Sequence, residues 1–273
     1  MTTITALGSR YGIQGALGRS VKRASSSAWS PADITGCVLW LDFGDADTMF
    51  TDAGSTKVST DGDSIYQIND KSGNSNHSVQ TDSSMRPLYK TSIQNSKSAG
   101  LFDGSNDRMR TSNNVELQYF TIFAVFNRTG GNSNGGPIGM DKNTFAGNAY
   151  RLFQFRINTS TNNAELIGFN TAGGAFTDSQ AITQANISLA TGVRSSSSVQ
   201  IYVNGASDGA TSATGTDNTV TDYFSIGKSY QYTGTIQHLG GYICEIVVYN
   251  SALSSENLTT VTNYLNTKWA IYS

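Results

Sequence analysis

The sequence predicts an all-β fold, a sandwich of antiparallel sheets. Strand-like runs rich in β-branched and aromatic residues recur along the chain, separated by polar turn residues. Charged residues make up only 14% of the chain, against about 25% in ordinary globular domains. Ser, Thr, Asn and Gly therefore take over the solvent-facing role, which suits many turns and exposed sheet faces. The 273 residues need no second core, because one β domain reaches about 200–250 residues.

Residues 1–32 differ in character from the rest of the chain. They carry Arg10, Arg19, Lys22 and Arg23 with no acid before Asp33, and Gly8, Gly12, Gly15 and Gly18 argue against an isolated helix. Alone, such a segment buries too little apolar surface to offset its chain entropy. It reads as a disordered leader, as a basic and acid-poor transit peptide, or as an extended docking arm. In the last reading Tyr11, Ile13, Leu17 and Trp29 are apolar anchors and the four basic residues meet acidic groups on a partner.

Residues 33–273 then form the sandwich. The run 119–126 is apolar on both faces, as expected of a central strand covered on both sides or of one whose outer face meets another subunit. Residues 199–203 read as a strand, and Asn204-Gly205 signals a type I′ hairpin turn. The stretch 222–227 forms another strand, and 240–250 a longer one. After it the period changes: Leu258, Val261, Leu265 and Trp269 recur at spacings of three and four, the apolar stripe of a short helix. Ser254 or Ser255 caps that helix, with Glu256 in its first turn.

The Tyr-Val-Asn-Gly hairpin, the Ser225-Ile226-Gly227 strand, the run from Gly241 to Asn250 and the Ala252-Leu253-Ser254 helix cap follow one another in an order that resembles the end of a laminin-G-like domain. The opening run Cys37-Val38-Leu39-Trp40-Leu41-Asp42 is similar to the first strand of that family. The segments from Asp70 to His77, Arg86-Pro87 and from Leu101 to Asp107 match further landmarks in the family's order. The resemblance covers residues 34–272 and implies a concanavalin A-like jelly roll, an antiparallel two-sheet sandwich with an N-terminal arm and a short C-terminal helix. It says less about function, because this fold hosts lectins, hydrolases and structural modules. Modules with such Ser/Thr/Asn-rich surfaces and no leading apolar signal resemble those of bacteriophage virion proteins. The expectation is a non-enzymatic virion component made in a host cytoplasm: a capsid decoration, fibre or tail protein. It would dock through its arm to other virion proteins and to itself as a homo-oligomer, and display the sandwich to host-surface glycans. The alternatives are a free lectin, calcium-dependent or not, and a glycoside hydrolase.

Hydrolytic relatives carry Glu-x-Asp-x-x-Glu on one strand, which sets two carboxylates about 5–5.5 Å apart for retaining chemistry. Glu116, Glu165, Glu245 and Glu256 have no acidic partner two or four positions away. Glu245 is expected at a rim or as a hydrogen-bonding residue. His77 and His238 lack a triad signature. The GGNSNGG run at 130–136 lacks the Lys-Ser/Thr ending of a phosphate loop and reads as a flexible loop. The net charge of −2 predicts no general affinity for nucleic acid, and no apolar run is long enough to insert in a membrane.

No cofactor is required on this reading. Calcium is an option, because the resemblance brings Asp70, Asn74, Asn76, Asp103 and Asp107 forward as oxygen ligands; the same residues also close tight turns without metal. Tyr230 and Tyr232 are the candidate sugar platform, with a protein interface and ordinary sheet packing as the other readings. Cys37 and Cys244 are too few for a disulfide framework. They are read as buried thiols, as a disulfide, since the resemblance puts the first and last strands side by side, or as reactive groups.

Overall fold

The computed structural model describes residues 29–131, 134–141, 151–169, 175–207, 209–212, 219–230 and 236–273. Two large antiparallel sheets face each other. The first runs Ala210–Ser212, Ser198–Val203, Ser188–Arg194, Phe120–Phe126, Ile236–Tyr249, Lys97–Asp103 and Leu88–Gln94, and Cys37–Asp42 also pairs with the long strand Ile236–Tyr249. The second runs Ala175–Ala181, Asn163–Phe169, Arg151–Asn158, Ile138–Asp141, Phe224–Ile226, Met109–Thr111, Ser78–Val79, Gln67–Ile68 and Met49–Phe50. The period-2 alternation of a strand sends Leu39, Leu41, Ile122, Ala124 and Phe126 of the first sheet against Met109, Met140, Phe153, Phe155 and Phe224 of the second, all fully or almost fully buried.

A second apolar layer covers the outer face of the first sheet. Phe123, Val125, Leu189, Val247 and Tyr249 point away from the inter-sheet core and meet Val261, Leu265 and Trp269 of the helix Ser255–Trp269. This decides between the two readings of the 119–126 run: its outer face is covered by the chain's own helix. Ser254 is the cap, its Oγ accepting the Asn257 N–H at 3.3 Å. At the other end Ala270 adopts φ 50°, and the Gln94 and Asn95 side-chain amides donate to the carbonyls of Trp269 (2.9 Å) and Lys268 (3.0 Å). The loose carbonyls of the last turn are thereby satisfied.

The long strand contains a bulge. Ile243 lies opposite Phe126 but Glu245 opposite Val125, so Cys244 is the extra residue. The phase of alternation changes there: Leu239 and Ile243 point into the sandwich before it, Ile246 and Val248 after it. Cys37 pairs with Tyr249, five residues along the strand from Cys244. Both cysteines are buried free thiols, and burial foremost pushes Cys37 up to about 12 and Cys244 up as well.

Three further expectations change. The predicted strand 222–227 is two elements that separate at Tyr223: Val220–Asp222 pairs with Val115–Leu117, whereas Phe224–Ile226 joins the second sheet. Residues 29–32, read with the arm, lie on the sandwich: the Trp29 ring is 5.5 Å from that of Tyr264, and the Pro31 carbonyl accepts from the Tyr249 hydroxyl at 2.9 Å. The anchors Arg10, Tyr11, Ile13, Leu17, Arg19, Lys22 and Arg23 lie outside the described residues.

The third change concerns the glycine run, whose described part is not a free loop. Gly130–Gly131 pairs with Gly240 and Leu239, and Gly104, Gly131 and Gly240 cross with their backbones in contact. A Cβ on Gly131, at φ +93°, would sit 2.5 Å from the His238 carbonyl oxygen. Gly131→Ala is therefore expected to cost about 2–4 kcal/mol in thermal or urea unfolding, combining left-handed strain with overpacking. Gly73→Ala, at φ +90° but facing open space, isolates the strain alone at about 1–2 kcal/mol.

Candidate functional site

Carboxylates come first, since a hydrolase would need a pair of them. The register sets Asp42 directly opposite Glu245 on adjacent strands, a pairing that spacing along the sequence does not reveal. The pair lies beneath the helix, Asp42 2% and Glu245 1% exposed. Glu245 Oε1 accepts the Trp40 indole N–H at 2.7 Å, and Oε2 accepts that of Trp269 at 2.6 Å. Lys268 Nζ lies 2.7 Å from both Glu245 Oε2 and Asp42 Oδ1, and Lys71 reaches Asp42 Oδ2 at 2.9 Å and Asp45 at 2.8 Å. Burial and the Asp42 carboxylate push the Glu245 carboxyl up, while Lys268 and the Trp269 N–H pull it back. With every carboxylate oxygen held by indole, ammonium or backbone N–H, the group is a clasp between helix and sheet. Glu245 is a hydrogen-bonding residue and does not lie at a rim. Glu165 is bound by Arg156 at 2.9 Å and by the Asn158 amide at 2.7 Å.

The loop carboxylates put forward for calcium serve their own turns. Asp70 accepts from the Trp40 and Ser72 N–H groups (both 2.9 Å), the Ser72 hydroxyl (2.7 Å) and the Asn76 N–H (2.9 Å). The Asn74 and Asn76 amides each donate at 2.8 Å, to the Cys37 and Val38 carbonyls. His77 Nδ1 accepts the Asp70 N–H at 3.0 Å, an ordinary loop role. Asp103 Oδ1 takes three backbone N–H groups, from Ser105, Asn106 and Asp107. Among the described residues no three His, Cys, Asp or Glu side chains converge as a metal site. Both Asp70 oxygens and Asp103 Oδ1 are thus directed at donors of their own loops, whereas a calcium ion needs its oxygens turned to one point.

Burial would raise Asp103, but its three N–H donors hold it below the usual carboxylate range. Asp107 goes the other way. Burial first, and then the Asp103 charge, push it up to about 6, against the single N–H that Asp103 donates to it. A carboxyl raised from the unfolded value of about 3.9 contributes stability below that value and loses it as pH rises through about 6. Asp107→Asn is accordingly expected to gain about 1–3 kcal/mol relative to the parent chain between pH 4 and pH 7. Melting curves of both proteins across that range check it.

An accessible site lies on the outer face of the second sheet. A cleft of 360 Å³ is lined by Val79, Gln80, Thr81, Arg108, Met109, Arg110, Lys228 and Ile236. The alternation that buries Met109 and Thr111 turns Arg108 and Arg110 outward. One wall is the Lys228–Tyr230 strand, paired with the start of the long strand so that Tyr230 is opposite Ile236. Lys228 and Ile236 of this strand pair line the cleft; of the predicted sugar platform, Tyr230 stands in the paired strand and Tyr232 lies outside the described residues. Arg110 stacks 4.0 Å over the Tyr223 ring, and Gln80 donates to the Arg108 carbonyl at 2.8 Å. His238, opposite Lys228, is held below its ordinary value by burial first, with Arg108 and Lys228 adding to the effect. A second cleft, of 410 Å³, lies beside the C-terminal end of the helix and is lined by Ile93, Gln94, Asn127, Asn186, Tyr242 and Ile271 among others. The Asn127 side chain there is taken up by the Ala185 carbonyl and the Tyr242 N–H. Sequence reading missed the first cleft because its walls come from three distant segments. The one local signal is the Arg-Met-Arg alternation at 108–110.

Jelly-roll topology and an outward-facing cleft are features of lectin-like sandwiches. The chain belongs to the concanavalin A-like lectin/glucanases superfamily, whose family profile matches residues 103–259. Among solved structures it is similar to domain 4 of AbnA, a GH43 extracellular arabinanase from Geobacillus stearothermophilus, in complex with arabinotriose. That likeness has a TM-score of 0.55 at 11% identity and covers 83% of this chain and 98% of that one. The botulinum neurotoxin type G receptor binding domain gives 0.54 at 9% identity, covering 85% and 52%. Trypanosoma rangeli sialidase gives 0.50 at 12% identity, covering 86% and 33%. The chain spans about half the length of the neurotoxin binding domains it matches. A search of curated protein sequences finds no match. Identities this low define the fold alone.

Proposed function

We propose that the chain is a non-enzymatic carbohydrate-binding sandwich that holds its glycan in the cleft over the second sheet. The observation carrying this reading is the cleft itself. It is open to solvent, bounded by Lys228 and Ile236 of the paired strands and rich in side-chain hydrogen-bond donors, the mix of concave shape and a few placed polar groups that small ligands need. Support comes from the arabinanase domain of the same fold, which was solved with arabinotriose. The acidic pair Asp42 and Glu245 is enclosed, so the reading asks nothing of it beyond stability. A glycan array probed with the full chain, followed by calorimetry on the best hit, tests the proposal. Saturable binding of a defined glycan, unchanged by added calcium, is expected, with no release of shorter sugars. An array blank with and without calcium overturns it.

We further propose, on the resemblance of its Ser/Thr/Asn-rich sandwich to bacteriophage virion modules, that this binding module is carried on a virion, and, on the basic acid-poor composition of the leading segment, that it docks there through residues 1–28, to other virion proteins and to itself. Light scattering of the full chain beside one lacking residues 1–28 tests this. The full chain should form a defined assembly and enter particles, and the shortened chain should be a folded monomer that does not. Equal masses together with equal incorporation overturn it.

A further inference from the structure

The charge on the cleft narrows the ligand class. In a chain of net charge −2, its described lining carries three cations, Arg108, Arg110 and Lys228, and no Asp or Glu. Arg108 immediately precedes the strand Met109–Thr111 and Arg110 lies within it, and both line the cleft; two extended residues set their Cα atoms about 7 Å apart. Arg110 is exposed and, among the described residues, engages its guanidinium only in stacking over Tyr223. Stacking fixes the plane of the fork and leaves its N–H donors for a ligand. Arg108 uses one donor, on the Asn106 carbonyl at 3.2 Å. Asp82, whose carboxylate lies within the influence of Arg108, is engaged by the Ser84 N–H and hydroxyl in its own turn. Two planar forks on one face, with a third cation on the opposite wall, form a receptor for a planar or tetrahedral anion. Val79 and Thr81 offer an apolar and a hydroxyl surface to the rest of a ring.

We infer that the glycan held in this cleft is acidic, and that Arg108 and Arg110 bind its carboxylate or sulfate group. The inference rests on the carbohydrate-binding reading. Its test uses the full chain on an array of acidic glycans, uronate-, sialate- and sulfate-bearing, each printed beside its neutral esterified or desulfated partner. In parallel, Arg Nε–Hε signals are followed by NMR during titration with inorganic sulfate. The acidic member of a pair should bind at least about tenfold more tightly than the neutral one. Arg110→Gln should lose about tenfold, and the double variant Arg108→Gln/Arg110→Gln all measurable binding, while melting temperatures stay unchanged. Lys57→Gln, remote on another loop, should bind as the parent. Sulfate should shift the Arg108 and Arg110 signals but not that of Arg156. Neutral glycans bound as tightly as acidic ones, with the variants indifferent, would overturn the inference and leave the carbohydrate reading standing. A blank array with the two arginine signals shifted by sulfate would sink the carbohydrate reading and the inference with it, leaving an anion site without a sugar. Motionless signals would remove the anion site itself. Single-stranded oligonucleotide binding as tight as any glycan would reassign the cleft to a different polyanion and overturn the inference.

Discussion

Replacing Lys268 with methionine is expected to destabilise the chain by about 3–5 kcal/mol, the usual cost of leaving buried charge without its partner. Among the described residues, Lys268 is the cation that Asp42 and Glu245 share, at 2.7 Å from each. Methionine fills much the same space, so the loss is chiefly electrostatic. In a chain of this size it corresponds to a melting point lower by about 6–20 °C. The cause can be separated from simple packing. Glu245→Gln keeps a side-chain oxygen acceptor for the Trp40 indole but removes one of the two charges that Lys268 holds. Lys268→Met/Glu245→Gln should therefore be less destabilised than the sum of the single variants by about 1–3 kcal/mol. Strict additivity, measured by urea denaturation of the four proteins, would mean that the clasp is not coupled in this way.

The second large effect is expected at Trp269. Its side chain is fully buried, and it sits so close to Gly44 that a Cβ there would meet the indole Cη2 at 2.7 Å. Trp269→Ala is expected to cost about 3–5 kcal/mol through the cavity, and the lost indole donor to Glu245 Oε2 adds to this. Trp269→Phe retains most of the volume and removes only the donor. It should cost about 1–3 kcal/mol, the penalty for an acceptor left short inside the protein. Equal losses for the two variants would show that the hydrogen bond, and not the filling of space, gives Trp269 its weight.

Regular elements were legible wherever a local signal suffices. The helix announces itself through Leu258, Val261, Leu265 and Trp269, and all but half-buried Leu258 are fully covered. The hairpin at Asn204-Gly205 has both residues at positive φ, 52° and 79°, as its sequence demands. What escaped depends on register or on distant partners. A one-residue bulge at Cys244 changes which face every later side chain occupies, and no composition marks it. Asp42 and Glu245 are separated by most of the chain and become neighbours only through pairing. Trp40 and Asp42 read from sequence as part of an opening strand, but their task, meeting Glu245 and Lys268 under the helix, needs the tertiary fold. The cleft likewise gathers residues 79–81, 108–110 and 228, none of which is distinctive alone. The predicted strand 222–227 divides at Tyr223, whose ring meets Arg110, because its two halves find different partner strands.

The helix on the first sheet also gives the molecule a back and a front. Trp29 rests on Tyr264 of that helix, so the chain enters the described sandwich on the covered side, and the residues after Trp269 end there as well. Arg108 and Arg110 project from the opposite sheet. The described chain thus begins and ends on the face away from the cleft.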